Sequence, residues 1–179
     1  MTFAPFGRVP FAGPVLALVA GIAGACSPVQ SAEQPAPAAA TEAAATEPAR
    51  DPVSGLPLIE VAVMRGDRRI AFTTEVANTP EAQARGMMFR TGMGDDEAML
   101  FPSERPMQRS FWMKNTPLAL DIIFIGTDGR ISNIEKGVPY ELESVTSAGE
   151  AIAVLEIRGG LSRELGIVPG DRVIYDWPR

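Results

Sequence analysis

From Leu58 onward, hydrophobic and polar positions fall into short runs separated by glycine, proline and acidic residues, and these runs predict strands. Leu58 to Met64 reads as an apolar strand, and Arg65-Gly66-Asp67-Arg68 as a turn. From Arg69 to Ala77 the pattern alternates. Ile70, Phe72, Thr74 and Val76 share one face, and Arg69, Thr73 and Glu75 the other. Met99 to Phe101, Ser110 to Met113, Leu118 to Ile125, Arg130 to Ile134, Glu150 to Arg158 and Arg172 to Tyr175 are further strand candidates, and Asp128-Gly129 suggests a two-residue hairpin.

Two stretches read as helix. Thr79-Pro80-Glu81 supplies an N-cap, a proline at the first helical position and an acid in the first turn, and Gly86 gives a stop. Leu161 to Leu165 is a second brief helix, closed by Gly166. Met87-Met88-Phe89 reads as an apolar plug between the first helix and the loop that follows. Many short strands with two short helices predict a mainly β fold: a single compact sandwich or barrel-like domain spanning residues 53–179.

The chain before residue 53 follows a different rule. Arg8 precedes an uncharged apolar stretch, Phe11 to Ala25, ending in Ala23-Gly24-Ala25, the three-part form of a signal peptide over residues 1–25. Ala23-Gly24-Ala25-Cys26 resembles a bacterial lipobox, with Ala23 where leucine is usual. Lipidation of Cys26 is therefore expected, giving a partner in the membrane. Ordinary secretion with a free thiol and an uncleaved anchor are the alternatives. Ser27 differs from the aspartate of an inner-membrane retention signal, so an outer-membrane anchor in the periplasm or cell envelope is the expected address. Residues 26–52 are rich in Ala, Pro, Glu and Thr and carry too little apolar surface to offset their ordering entropy. They read as a tether, and a flexible segment of that kind spans roughly 27 Å on average.

Composition then narrows the chemistry. The 179 residues contain no histidine and one cysteine, which excludes Ser-His-Asp or Cys-His catalysis and zinc sites built from His or several Cys within the chain. The net charge of −6 disfavours a nucleic-acid partner. Asp95, Asp96 and Glu97 are adjacent but lack the spacing of a calcium loop, so no metal is expected, and nothing calls for a cofactor.

The candidate chemistry lies where charges interrupt apolar strands. Asp121 sits in Leu120 to Ile125, where both faces are hydrophobic, and Glu156 shares a face with Ile152 and Val154. A lone buried charge costs several kcal/mol, so each needs compensation. Lys114, Arg109 and Arg85 are the cations considered for that role. In Ser110 to Asn115, Phe111 and Met113 oppose Trp112 and Lys114. If the first pair enters the core, Trp112 becomes an aromatic plate beside a cation, suited to a ligand with a sugar face or carboxylate. Otherwise Trp112 belongs to the core, and Lys114 reaches water or pairs with Asp121. Asn115-Thr116-Pro117 makes a turn that the Asn115 side chain can fix.

Several ordered motifs resemble the domain of unknown function 192 family: TPEAQARGMMFR, MLFP, SFWMKNTPLALDIIFIGTDGRI and VLEIRGGLSRELGIVPGDRV, spanning Ile70 to Ile174. The family's recurring positions fall on Arg85, Gly86, Trp112 through Thr116, Asp121, Asp128-Gly129, Glu156, Gly166 and Gly170-Asp171. Ile157-Arg158-Gly159, where an Asn-Ala-Gly-like turn is frequent, and the glycine-rich loop at Gly92 to Asp96 depart from the pattern. The resemblance implies a compact, mainly β fold behind an export signal, and brings no activity with it.

The resulting expectation is an exported binding module for a small ligand or an envelope protein, with a site at Arg85, Trp112, Lys114, Asn115 and Asp121. The alternatives are a hydrolase using Asp121 and Glu156 as acid and base, and an accessory protein without a small-molecule site.

Overall fold

The computed structural model describes residues 48–178. The signal segment and Cys26 lie outside these residues. Seven strands and two short helices follow in the order β1 (Leu58–Arg65), β2 (Arg68–Val76), α1 (Pro80–Arg85), β3 (Glu97–Phe111), β4 (Leu120–Gly126), β5 (Ile131–Gly137), β6 (Val145–Arg158), α2 (Leu161–Leu165) and β7 (Arg172–Tyr175). They form one mixed sheet in the order β5-β4-β6-β3-β2-β1-β7. All neighbours are antiparallel except β2 and β3, which are parallel and joined through α1. The outer strands approach each other through one bridge between Arg130 and Arg172, where Val173 N–H also donates to the Gly129 carbonyl at 2.9 Å. The sheet therefore curls without closing into a barrel.

Period-two alternation sorts the core into two layers. Val61, Val63, Phe72, Leu100, Ile123, Ile125, Leu155 and Ile157 pack on one face. Met99, Phe101, Ile122, Phe124 and Val154 pack on the other, beneath Met87 and Met113. All seven β4 residues are buried, which explains its unbroken apolar run. Helix α1 starts and stops where its signals predict: the Thr79 hydroxyl accepts the Ala82 N–H at 3.1 Å, and Gly86 caps the far end. Of the expected apolar plug, Met87 is buried and Phe89 is exposed.

The structure departs from the sequence pattern in four places. Met99 to Phe101 and Ser110 to Met113 are parts of one long strand, β3. Its ladder to β6 breaks between Pro102 and Met107, where Pro102 and Pro106 have no N–H to donate. Strand β6 begins earlier than the apolar run suggests, at Val145. The β4–β5 connection has four residues, Thr127-Asp128-Gly129-Arg130: Gly129 N–H bonds the Gly126 carbonyl, and Gly129 takes the left-handed conformation (φ 74°) that glycine tolerates. Finally, residues 49–52, read as tether, already belong to the fold. Leu58 N–H donates to the Ala49 carbonyl, and the Asp51 side chain accepts N–H groups from Val53 and Ser54.

Candidate functional site

Asp121 and Glu156 are each only 4% exposed, so both charged residues are drawn into the interior. Their compensation differs from what the sequence suggests. Among the described residues Asp121 forms no salt bridge. Its carboxylate accepts the Gly160 N–H at 2.9 Å, the Ser162 N–H at 2.8 Å and the Ser162 hydroxyl at 2.5 Å. Two are backbone donors and one a hydroxyl at the start of α2, which has no side-chain cap of its own. Asp121 therefore caps α2 from a neighbouring strand. All three bonds hold the start of α2, on the side of the sheet away from Trp112 and Glu156.

Glu156 points the other way. Its cross-strand neighbours are Met99 and Ile122, so it lies in the layer beneath α1, whereas Asp121 pairs with Ile157 and faces the opposite layer. Two carboxylates on opposite faces of one sheet cannot act on the same bond, so the acid–base pair is excluded by register alone. Glu156 Oε2 is buried and has no hydrogen-bond partner among the described residues. Burial pushes its carboxyl up to about 8, and the positive charge of Arg90 offsets only part of that rise. Arg90 is itself committed to Glu75, gripping both carboxylate oxygens (2.5 and 2.7 Å), while Ser54 Oγ donates to the same group.

Glu156 lines a cavity of about 40 Å³, with Gly86, Phe101, Phe111, Trp112 and Thr116 among its walls. That is room for roughly one water or one small ligand group. Met113 and Thr116 of this lining belong to loops held together by their backbones. Phe89 N–H donates to the Asn115 carbonyl (2.8 Å), Met113 N–H to Glu141 (2.9 Å) and Tyr140 N–H to Thr116 (3.1 Å). Phe89, Asn115 and Tyr140 have φ of 65°, 56° and 64°, and they are the non-glycine residues with positive φ among those described. Strained backbone of this kind persists only where its surroundings hold it. All three strained residues lie on these converging loops.

Met113 is buried and Phe111 packs on the second core layer, so Trp112 turns outward and is 48% exposed. The reading of Trp112 as a core residue is thereby corrected, as is the pairing of Lys114 with Asp121. Lys114 Nζ instead stands 5.0 Å from the Trp112 ring centroid, a cation–π contact. Asn115 lies beside them, its side-chain amide 4.0 Å from Met88 Sδ. Arg85, exposed at the end of α1, lines the same cavity. Arg109 serves neither acid. It donates to Ser103 Oγ and Gln83 Oε1 and lies over the Phe111 ring.

The structure thus brings Arg85, Trp112, Lys114, Asn115 and Glu156 to one side of the sheet and leaves Asp121 on the other. Sequence reasoning missed Phe89, Tyr140 and Arg90. Only the MMFR run hinted at the first and third. Among the described residues, no group of three His, Cys, Asp or Glu side chains could hold a metal. Asp95 is engaged by Arg158, and Glu97 accepts the Gly94 N–H.

Two solved structures share the fold. A protein of unknown function from Novosphingobium aromaticivorans DSM 12444 is 48% identical with a TM-score of 0.69, covering 74% of this chain and 94% of its own. A protein from Sinorhizobium meliloti 1021, proposed to be a transcription regulator, is 34% identical with a TM-score of 0.65, covering 67% of this chain and 95% of its own. No curated protein matches the chain. Residues 61–175 match the model of DUF192, described as uncharacterized ACR. With motifs, register and solved relatives in agreement, the chain belongs to the DUF192 family.

Proposed function

We propose that this protein is a binding module of the cell envelope. Its site is the cleft between α1 and the Trp112–Thr116 segment. The observation that carries the reading is the Glu156 carboxyl: buried, without a partner at Oε2 among the described residues, and lining a cavity that Trp112 also lines. A buried polar atom left without a partner costs roughly 1–3 kcal/mol, and a ligand group that satisfies it recovers that energy on binding. Held protonated at neutral pH, Glu156 offers both a donor and an acceptor. The matching group is a neutral hydroxyl or amide small enough for the cavity. Trp112 offers a face for a sugar ring, and Lys114 and Arg85 offer charge for a carboxylate. The ligand class is therefore a saccharide bearing an acidic group, with its ring on Trp112.

The envelope address rests on the signal-like segment and on Cys26, with lipidation anchoring the domain to a membrane surface. The accessory reading requires a buried Trp112 and closed ion pairs at both acids. A half-exposed Trp112 and an unpartnered Glu156 count against it. The acidic net charge gives no support to a nucleic-acid partner.

N-acetylmuramic acid combines a sugar face, an amide and a carboxylate, and is the probe. Titration into the full chain should raise the thermal midpoint and quench Trp112 fluorescence. Trp112→Ala and Glu156→Ala should each abolish both effects, and glucose should bind more weakly. An unchanged midpoint with N-acetylmuramic acid, or a response that survives both substitutions, refutes this site. Mass spectrometry of the mature N-terminus tests the address, and an unmodified Cys26 refutes the anchor.

A further inference from the structure

On the opposite side of the sheet from Glu156, the capped helix α2 forms one wall of a second, larger cleft of about 640 Å³. That volume lies within the range of small-molecule sites. Ile134, Val138, Ile167 and Val168 are among its walls, with Lys136 and Arg163. Val138 is 55% exposed and Val168 37%, so apolar side chains stand open to water here. Asp121 also lines the cleft, but its oxygens are taken by the start of α2. The role of Asp121 here is to hold the wall.

Lys136 and Arg163 are both exposed, and neither has a salt-bridge partner among the described residues. The acid nearest in sequence to Arg163, Glu164, is taken by Arg158. Two unpaired cations beside an apolar trough, on a chain of net charge −6, form a local exception to the overall field. Charge and hydrophobicity together define an amphiphile: one apolar chain ending in an anion.

We propose that this cleft binds a single-chain fatty carboxylate, with its methylenes along Ile134, Val138, Ile167 and Val168 and its carboxylate between Lys136 and Arg163. A hydrocarbon chain is favoured over a peptide by the character of the walls. Methylenes require no hydrogen bonds, whereas a peptide backbone must satisfy its N–H and C=O groups. Among the described residues, every buried side-chain polar atom of the cleft already has a hydrogen-bond partner. This site does not depend on the Trp112 site, because the two lie on opposite faces of the sheet.

The test uses sodium decanoate, decanol and decyltrimethylammonium, titrated into the full chain and followed by NMR of the isoleucine and valine methyl groups. Decanoate should saturate with shifts concentrated at Ile134, Val138, Ile167 and Val168, and should bind about tenfold more tightly than decanol. Val168→Trp should block decanoate. The double substitution K136E/R163E should transfer the preference to decyltrimethylammonium, and Trp112→Ala should leave decanoate affinity unchanged. Equal binding of decanoate and decanol overturns the carboxylate assignment. Shifts scattered over the surface, or tighter binding of a short apolar peptide with a free C-terminus, overturn the fatty-acid assignment.

Discussion

Asp121 and Glu156 lie on adjacent strands but face opposite sides of the sheet, because Glu156 pairs across the ladder with Ile122 and Asp121 with Ile157. Their environments are correspondingly unlike: a helix start for one, an unsatisfied cavity for the other. Substitutions at the two positions should therefore act independently. In a double-mutant cycle of Asp121→Asn and Glu156→Gln, urea unfolding should give free energies that add to within about 0.5 kcal/mol. A larger coupling would mean that the two carboxyl groups communicate through the sheet.

Asp121 satisfies two backbone N–H groups and one hydroxyl. Asp121→Ala leaves those donors unpaired beside an apolar wall. The expected loss is about 3 kcal/mol or more, read from the urea midpoint. Ser162→Ala removes a single bond to the same carboxylate and should cost roughly 1 kcal/mol. A near-neutral Asp121→Ala would contradict the capping role.

Glu156 gives stability an unusual pH dependence. In the folded chain its carboxyl holds a proton up to about pH 8, against 4.5 ordinarily. Above pH 4.5 the unfolded chain releases that proton while the folded chain keeps it, so the folded state binds more protons and loses stability as pH rises. The decline runs from about 4.5 to about 8 and levels off above the folded value. Its size should be on the order of 3–5 kcal/mol. Glu156→Gln should remove this contribution and be more stable than the native chain at pH 9, measured by urea unfolding across the range. A native slope that survives Glu156→Gln would place its origin elsewhere.

Arg90 links this cavity to a second buried acid. Its guanidinium holds Glu75 with two bonds, and its charge lowers the carboxyl of Glu156. Arg90→Leu should cost about 3 kcal/mol by leaving Glu75 unpaired. It should also move Glu156 titration further up, observed by carbon NMR of the side-chain carboxyl. A downward shift would refute the electrostatic link.

Gly159 is fixed by close approach. A Cβ there would lie 2.8 Å from Ala119, on the residue whose carbonyl accepts the Gly159 N–H. Gly159→Ala should destabilise by roughly 1–3 kcal/mol, because backbone must move to admit it. Gly92→Ala, with nothing within 4 Å, should stay within about 0.5 kcal/mol in the same denaturation series.

The sequence by itself determined the local elements, since these depend on contacts a few residues apart. Thr79, Pro80 and Gly86 bracket α1 because caps and φ restrictions are local, and the alternation from Ile70 to Val76 marks a half-buried strand for the same reason. The burial of Asp121 and Glu156 was equally legible, because charges embedded in apolar runs have few other places to go. Only the tertiary structure decided what compensates each acid. Strand register sets which face Glu156 occupies, and α2 reaches Asp121 from about forty residues along the chain, a separation that carries no local signal. The outward turn of Trp112 and the meeting of Phe89, Asn115 and Tyr140 belong to the same class. Their positions follow from hydrogen bonds between loops distant in sequence, a separation that no local pattern along the chain records.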